Sequence, residues 1–299
     1  MHTSAGEVMG EAISLCMIVK NEEPRLAKCL DSARNVADEV VIVDTGSTDG
    51  SREIASSYGA KIIAFDFTVV DFAAARNHAL ARANGRWILV LDADERLDAS
   101  SVPLIEEIAK GEENAGYYLE RLNHRPNGEA PRTDYVVRLF PNRPDYRYRG
   151  RVHETTDASI LAGGGRLVKT AIRLDHDFAS DPEARRRRNL AYVEILNEEI
   201  AADPSDHTRF EFLAAEYHQL GMFDRAAEIT EHIVSMRPLD PQAHFHAGAY
   251  HWLYQRNGER ARADFREALR LRRGYAEAES FLRAIEEQEG GTQTDETAQ

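Results

Sequence analysis

In the first half of the chain, short apolar runs alternate with segments in which apolar residues recur at helical spacing. The runs are rich in β-branched residues, which is typical of buried strands, and the segments between them are typical of amphipathic helices. Strands are predicted over residues 13–19, 39–43, 61–65 and 86–91, and helices over residues 23–33, 52–58 and 71–83. This alternation predicts an α/β fold with a mixed, mainly parallel sheet and helices on both faces.

The pattern changes twice after the fourth strand. Residues 116–177 contain shorter extended segments separated by turns, and this part is expected to supply loops on the acceptor side. Ser180-Asp181-Pro182-Glu183 then combines a capping residue, a proline and an early acid, as helix starts do. Because the pattern is helical from about residue 183 onward, a domain boundary is predicted after residue 180.

Two segments of the helical half, residues 207–240 and 242–275, resemble tetratricopeptide repeats, which are helix pairs of about 34 residues. The resemblance rests on small and aromatic residues at fitting positions. These residues are Ala214, Tyr217, Gly221, Ala226 and Pro238 in the first segment, and Ala249, Ala261, Phe265 and Ala268 in the second. The predicted domains are therefore an α/β domain over 1–180, an all-α repeat domain over 181–290 and a disordered tail over 291–299.

Composition and charge narrow the classes of function. The formal net charge of −14 argues against non-specific nucleic-acid binding, which requires Lys and Arg to neutralise phosphate. No signal peptide and no apolar run of about 18 residues is found, so a cytoplasmic protein without a transmembrane segment is expected, with peripheral membrane contact left open. Cys16 and Cys29 fall in a predicted strand and a predicted helix, where buried thiols are expected rather than a disulfide.

Two carboxylates lie one residue apart directly after the fourth predicted strand, in Asp92-Ala93-Asp94. Ligands of open α/β sheets bind at the carboxyl ends of the strands. A pair of carboxylates there suits Mg²⁺, which completes its coordination shell with substrate phosphates. The motif therefore predicts a metal–diphosphate site, although a solvated loop or a helix cap would have the same short sequence.

Three further features are candidates for chemistry. Asp44 ends the second strand, where it is positioned to accept a hydrogen bond from a nucleobase N–H, to stabilise an Asx-type turn or to cap a helix. Arg76, on the helix before the fourth strand, is expected to anchor an anionic donor; holding the aspartates and lying on a solvated face are the alternatives. Residues 185–188 are four arginines, interpreted as a solvated helix start that pairs with nearby acids.

Four segments occur in a characteristic order: residues 14–23 (SLCMIVKNEE), 41–51 (VIVDTGSTDGS), 75–77 (ARN) and 91–95 (LDADE). Together they resemble the family-2 inverting glycosyltransferases of GT-A fold, specifically the bacterial branch with appended tetratricopeptide repeats. The resemblance implies a nucleotide-sugar donor, most often a UDP-sugar, and a Mg²⁺ or Mn²⁺ ion. It also implies that the backbone and side chains around Met17, Val19 and Asp44 line the base and ribose. Asp92 would face the ribose or the metal, and Asp94 would ligate the metal that bridges the diphosphate.

An inverting transfer also needs a base to take the proton of the acceptor. Residues 149–154 (RGRVHE) resemble a G-x-[VI]-H-E segment of the family, which makes Glu154 the candidate base. His153 is expected to orient Glu154 or to contact the diphosphate; a surface His–Glu pair is the alternative. His176 resembles a late histidine of the family that completes the metal shell or contacts the phosphates, or else it is structural. The glycine-aromatic pair that usually follows is here Asp177-Phe178.

The predicted function is therefore metal-assisted sugar transfer from a nucleoside-diphosphate sugar to an acceptor that the sequence does not identify. Since repeat solenoids present concave surfaces, a protein or peptide acceptor is one expectation, and a cell-envelope glycan is another. The alternative function is a vestigial transferase whose repeats act as a protein-interaction scaffold. A nucleotidyltransferase is less favoured, because no Gly-rich, Lys-bearing phosphate loop follows the first strand.

Overall fold

The computed structural model describes residues 13–111, 114–124, 129–177 and 181–295, with side chains as far as residue 288. The chain divides into two compact units, with the division between Ser180 and Asp181. The first unit contains every strand found in the described residues, and the second is helical.

The first unit is an α/β structure. Its strands are β1 (Ile13–Val19), β2 (Glu39–Asp44), β3 (Lys61–Ala64), β4 (Trp87–Val90), β5 (Glu95–Leu97), β6 (Ala115–His124), β7 (Arg132–Pro141) and β8 (Arg166–Asp177). Its helices are α1 (Leu26–Ala33), α2 (Ser51–Ser57), α3 (Phe72–Leu80), α4 (Val102–Lys110) and α5 (Asp157–Ala162), and a 3₁₀ turn, Ala99–Ser101, precedes α4.

The described strands form one mixed sheet in the order β3-β2-β1-β4-β7-β6-β8-β5. The pairs β3–β2, β2–β1 and β1–β4 are parallel, as the alternation of strand and helix predicts. Beyond β4 the pairs β4–β7, β7–β6 and β8–β5 are antiparallel, and β6–β8 is parallel. Since β1, β2 and β4 run in the same direction, their carboxyl ends meet at one edge of the sheet.

Helices cover both faces of the sheet, which confirms the predicted α/β class. On one face, Leu15 and Met17 of β1 pack with residues of α1, α2 and α4. On the other face, Cys16 of β1 packs with residues of α3 and α5. β4 and, apart from the buried Ser14, β1 are apolar because a strand covered on both faces has no solvent side. The cysteines are free and buried, as expected.

Residues 116–177 are more regular than predicted. The short extended segments belong to the long strands β6, β7 and β8, which have ten, ten and twelve residues. Polar residues along their half-exposed surfaces hide the strand pattern in the sequence, because partner strands rather than periodicity fix these segments. The expectation of short, less regular segments is therefore wrong, while the placing of acceptor-side loops in this part stays a prediction.

The second unit consists of helix pairs. Its helices are α6 (Pro182–Ala202), α7 (His207–Gln219), α8 (Phe223–Met236), α9 (Pro241–Leu253), α10 (Gly258–Leu271) and α11 (Ala276–Asp295). The pairs α7–α8 and α9–α10 coincide with the two predicted repeats. Ala226, Ala261 and Ala268 are fully buried at the packing surfaces, because small residues let helices approach closely.

The structure also bears on the predicted tail, on the four consecutive arginines and on membrane crossing. α11 continues to Asp295, five residues into the predicted tail, while residues 296–299 lie outside the described residues. Arg185 to Arg188 are exposed in the first turns of α6, which confirms the predicted solvated helix start, while their pairing with acids stays a prediction. Within the described residues, no helix combines the length and the apolar character that crossing a bilayer requires. The cytoplasmic location stays a prediction.

Candidate functional site

The carboxyl edge of the parallel strands gathers the predicted acids. Asp44 is the last residue of β2, in register with Val19 at the end of β1. Asp92 and Asp94 follow β4 by two and four residues, on the turn that leads into β5. The edge thus presents carboxylates from two strand ends, as the sequence predicts.

Glu154 lies in a short loop that is closed on itself. Arg149 and Thr155 form an isolated antiparallel bridge, with backbone hydrogen bonds of 3.0 and 3.2 Å. Gly150 has a φ of 95°, a conformation that favours glycine, and His153 has a φ of 50°. These two left-handed positions turn the chain so that the side chain of Glu154 is directed into the unit, where it is 12% exposed.

Arg76 joins the loop to the acidic turn. Its Nε donates to Oε1 of Glu154 at 2.6 Å, and its Nη2 donates to Oδ1 of Asp92 at 2.7 Å. Arg76 is 7% exposed, and its guanidinium lies over the ring of Tyr148, 5.3 Å from the ring centroid. It therefore holds acids rather than lying on a solvated face. A direct contact between Arg76 and a bound nucleotide, as expected from the sequence, is not favoured by this buried position.

The helix that carries Arg76 is fixed to the same loop region. The side-chain amide of Asn77 donates to the carbonyl of Tyr148 and accepts from its N–H, each at 2.9 Å. The N–H of Phe72 donates to the carbonyl of Arg151 at 2.8 Å. These contacts explain how Arg76 can keep one position between two carboxylates that come from distant parts of the chain.

Asp92 is held by a second arginine as well. Nη2 of Arg138, on β7, donates to Oδ2 of Asp92 at 2.5 Å and to Oε1 of Glu95 at 2.7 Å. Burial raises the pKa of the Asp92 carboxyl, but the guanidinium groups of Arg138 and Arg76 lower it by more, so its pKa lies well below the ordinary value. Asp92 therefore stays ionised, and both of its oxygens are occupied by guanidinium donors.

Asp94 lies next to His176. Oδ2 of Asp94 is 3.4 Å from Nε2 of His176, and the N–H of Asp177 donates to the carbonyl of Asp94 at 3.1 Å. The antiparallel pairing of β5 with β8, which sets Glu95 opposite His176, brings the two side chains together.

The orientation of His176 follows from Asn123 on β6. The amide nitrogen of Asn123 donates to the carbonyls of Arg121 and Arg132, so its oxygen faces Nδ1 of His176 at 2.7 Å. This contact places the proton of a neutral imidazole on Nδ1 and a lone pair on Nε2. A carboxylate and an imidazole lone pair then face each other, and a cation between them would satisfy both.

The chemistry of this donor set fits a divalent cation only in part. No group of three or more His, Cys, Asp or Glu side chains in the described part of the chain is arranged to hold a metal ion. Asp94 and His176 supply two ligands, so oxygens of a bound diphosphate and water would have to supply the rest, as is usual for Mg²⁺. Asp92 fits less well than predicted from sequence, because Arg76 and Arg138 occupy its oxygens.

Asp44 is 2% exposed and is stabilised locally. Its carboxylate accepts from the N–H of Ser47 at 3.2 and 3.3 Å and from Nη1 of Arg52 at 3.2 Å. Asp44 thus has a local structural role of the kind that the sequence leaves open, through the N–H three residues on. A nucleobase that bound to Asp44 would meet the half-exposed Arg52 beside it.

Two further predicted residues do not line the site with their side chains. Met17 and Val19 are 1% and 2% exposed, and both pack in the core beneath α1. Residues two apart on a strand face the same side, so both side chains point into the core and do not line the base and ribose. That the backbone around them does so stays a prediction. The Val19 carbonyl accepts from Thr45 at 3.0 Å, so it is engaged as well. His153 is partly buried and adjoins Glu154 in the loop.

Sequence reasoning missed the charges that organise the acids. Arg138 and Arg121 converge on Glu95, at 2.7 and 3.2 Å from its Oε1, and Glu95 is fully buried. The sequence contains only a weak signal for them: an acid at the start of β5, and basic residues next to apolar residues in β6 and β7. Charged residues are almost never fully buried unless paired, so such positions are found only when the pairing is known.

Comparisons with known proteins match the first unit to a known family. The family model of "Glycosyl transferase family 2" matches residues 14–175, more than half of the chain. A TPR repeat-containing protein of Synechococcus elongatus is 41% identical over 150 residues, which cover 50% of this chain and 36% of that protein. An uncharacterized glycosyltransferase of Rickettsia bellii is 30% identical over 163 residues, or 52% of this chain and 54% of that protein.

Among solved structures, S. aureus TarS 1–349 in complex with UDP-GlcNAc is 17% identical. It covers 94% of this chain and 92% of that one, with a TM-score of 0.48. The chain spans about half, or less, of the length of the two curated relatives named above.

The paired acids lie at the carboxyl ends of parallel strands, where open α/β sheets bind their ligands. The chain belongs to glycosyl transferase family 2, as the match over residues 14–175 shows. Its second unit is tetratricopeptide-like.

Proposed function

We propose that the α/β unit is a metal-dependent, inverting glycosyltransferase that moves a sugar from a nucleoside-diphosphate sugar, with UDP-sugars as the first candidates, to an acceptor nucleophile. The observation that carries this proposal is the connection of Glu154 to Asp92 through Arg76, beside the Asp94–His176 pair. It sets a candidate base next to a candidate diphosphate site. Membership in glycosyl transferase family 2 supports sugar transfer as the chemistry.

Glu154 is assigned the role of the general base. Its Oε1 accepts from Arg76, while its Oε2 has no hydrogen-bond partner in the part of the chain that the structure describes. Oε2 would take the proton of the acceptor as the acceptor atom attacks the anomeric carbon. The bond from that carbon to the diphosphate breaks on the opposite side, so the configuration inverts. Arg76 orients the carboxylate for this proton transfer.

Asp94 and His176 are assigned to a Mg²⁺ or Mn²⁺ ion, and Asp92 is assigned to the arginines that fix the turn. When bound, the cation would stabilise the negative charge that develops on the nucleoside-diphosphate leaving group. The imidazole ligand favours Mn²⁺ over Mg²⁺, because carboxylate and water oxygens suit Mg²⁺ better than nitrogen does. Asn123 keeps the lone pair of His176 directed toward Asp94.

Asp44 and Arg52 are assigned to the nucleobase end of the donor. Together they offer a hydrogen-bond acceptor beside a donor, which complements the N–H and carbonyl edge of a uracil ring. For the acceptor, the repeat-like second unit supports a protein or peptide, and a cell-envelope glycan is the other candidate. Both are proposals from architecture.

Release of nucleotide tests the proposal. The full chain would be incubated with several UDP- and GDP-sugars, in the presence of Mn²⁺ or of EDTA, and the nucleoside diphosphate measured. The proposal predicts slow hydrolysis of at least one UDP-sugar with Mn²⁺ and none with EDTA. Absence of both turnover and nucleotide binding would instead favour a vestigial domain attached to an interaction scaffold.

A further inference from the structure

Glu95 is a carboxylate without contact to solvent. It is 0% exposed, and it is the first residue of β5, directly after Asp94. A side chain in this position cannot touch a substrate. Nevertheless it lies in the middle of the charges that surround the acidic turn, so its function must be exerted through its neighbours.

Glu95 forms two hydrogen bonds with the backbone of Asp92, one through its side chain and one through its own N–H. Its Oε2 accepts from the N–H of Asp92 at 3.0 Å, and its own N–H donates to the Asp92 carbonyl at 2.9 Å. Residues 92–95 therefore form a small ring of hydrogen bonds, with Ala93 and Asp94 at its tip. The tip is held on its other side by the hydrogen bond from Asp177 to the carbonyl of Asp94.

The other carboxylate oxygen of Glu95 pairs with the positive charges of two arginines. Oε1 accepts from Arg138 at 2.7 Å and from Arg121 at 3.2 Å. Arg138 is the residue that also holds Oδ2 of Asp92. One buried carboxylate thus fixes the backbone N–H of Asp92 and, through Arg138, its side chain.

We infer that Glu95 is a positioning residue for the metal–diphosphate site, an inference that rests on the proposed function. It sets the turn so that Asp94 is directed at His176. Groups that orient a metal ligand in this way commonly change metal affinity by about 10- to 100-fold when they are replaced.

Glu95→Gln is the informative substitution. An amide offers one acceptor oxygen and one donor NH₂, so in either orientation a donor faces the Asp92 N–H or the two arginines. The turn then loses one of its two restraints. Glu120→Gln is the matched control, because Glu120 lies on β6 of the same sheet and pairs with Arg173 at 3.0 Å nearer the surface.

The experiment measures the Kd of UDP by calorimetry with Mn²⁺ and with EDTA, together with thermal unfolding. The ratio of the two Kd values gives the metal-linked gain in affinity. Glu95→Gln is expected to reduce this ratio about tenfold while the Kd in EDTA changes less than about twofold. Glu120→Gln is expected to leave both values unchanged.

The inference would be overturned if Glu95→Gln had the same ratio of Kd values as the wild type. That result includes an equal weakening of UDP binding in Mn²⁺ and in EDTA, which a merely structural role would cause. Should Glu95→Gln fail to fold, Glu95→Asp keeps the charge but is too short to reach both groups. It is expected to lower the ratio, and an unchanged ratio there would also overturn the inference. Wild-type protein that binds UDP without any metal linkage would instead refute the metal-dependent function itself, and the inference with it.

Discussion

The Nε of Arg76 donates a hydrogen bond to Oε1 of Glu154 over 2.6 Å, although the two residues are 78 positions apart in the chain. The same guanidinium donates to Asp92, so one rigid planar group connects the proposed base to the acidic turn. This connection relates the stability of the unit to its chemistry.

Arg76→Met should lower the free energy of unfolding of the α/β unit by about 3 kcal/mol, because it leaves two partly buried carboxylates without their counter-charge. Urea unfolding followed by Trp87 fluorescence, in a Trp252→Phe background, measures the change. Arg143→Met is the control, since its exposed ion pair with Asp145 is screened by solvent and should contribute little to stability. Equal losses in the two variants would show that Arg76 is not a structural connection.

Glu154→Gln should reduce sugar transfer by about 10²- to 10⁴-fold, because the amide still accepts from Arg76 but cannot take a proton. The Kd of the donor should change by less than about twofold, since the shape and the contact are kept. Steady-state rates and calorimetry separate the two effects. Glu107→Gln, on the exposed surface of α4, is the control for the same chemical change. Transfer at more than a tenth of the wild-type rate would remove Glu154 as the base.

The two cysteines should be unreactive in the folded protein. Burial, reinforced by the nearby Glu39, raises the pKa of the Cys16 thiol to about 12, and burial also raises the pKa of Cys29 well above its ordinary value. At pH 8 both thiols are therefore protonated and covered, and a thiolate is the reactive form. A disulfide reagent should titrate two thiols rapidly in concentrated urea and react at least about tenfold more slowly without urea. Rapid reaction of either thiol in the native protein would contradict the buried placement.

His251 should stabilise the repeat-like unit. Its Nδ1 lies 2.8 Å from Asp264 on α10, and its Nε2 lies 2.9 Å from Glu231 on α8, so the ring of this α9 residue connects three helices. His251→Gln should lower the free energy of unfolding by about 2 kcal/mol, because a buried ring that contacts two carboxylates is lost. Far-UV circular dichroism during urea unfolding reports the change.

His207→Gln is the matched control for that measurement. Its ring is 43% exposed and 3.7 Å from Glu211, so a change below about 0.5 kcal/mol is expected. A similar effect of the two substitutions would mean that the helices do not depend on His251.

Sequence patterns predict the helices and strands that depend on local sequence, and they miss those that depend on pairing with distant segments. The sequence predicts β1 over residues 13–19, and it spans Ile13–Val19, because a short, mostly apolar run of this length is typical of a buried strand. β5 was missed because three residues carry no periodicity, and its place depends on pairing with β8. The α7–α8 and α9–α10 pairs followed from small residues at fixed spacing.

The site was predictable in part for the same reason. Asp44 and Asp94 follow from strand ends, whose positions the strands determine. Arg138 could not be assigned a role, because its contacts with Asp92 and Glu95 span 46 and 43 positions and depend on the register of β7 beside β4. The burial of Arg76 depends likewise on the packing of α3 against the loop of residues 149–155.

The central claim is that a metal-dependent transferase site is built on Asp94. The most direct test measures the Mn²⁺-dependent release of UDP by the Asp94→Ala variant, with a UDP-sugar that the wild type hydrolyses. Asp66→Ala, at an exposed turn, is the control. The account predicts at least a hundredfold loss of UDP release in Asp94→Ala, with thermal unfolding unchanged. Asp66→Ala should be as active as the wild type. The loss is expected to be large because a catalytic metal contributes several kcal/mol to transition-state stabilisation, and each 1.4 kcal/mol is about tenfold in rate. Release at the wild-type rate by Asp94→Ala would contradict it.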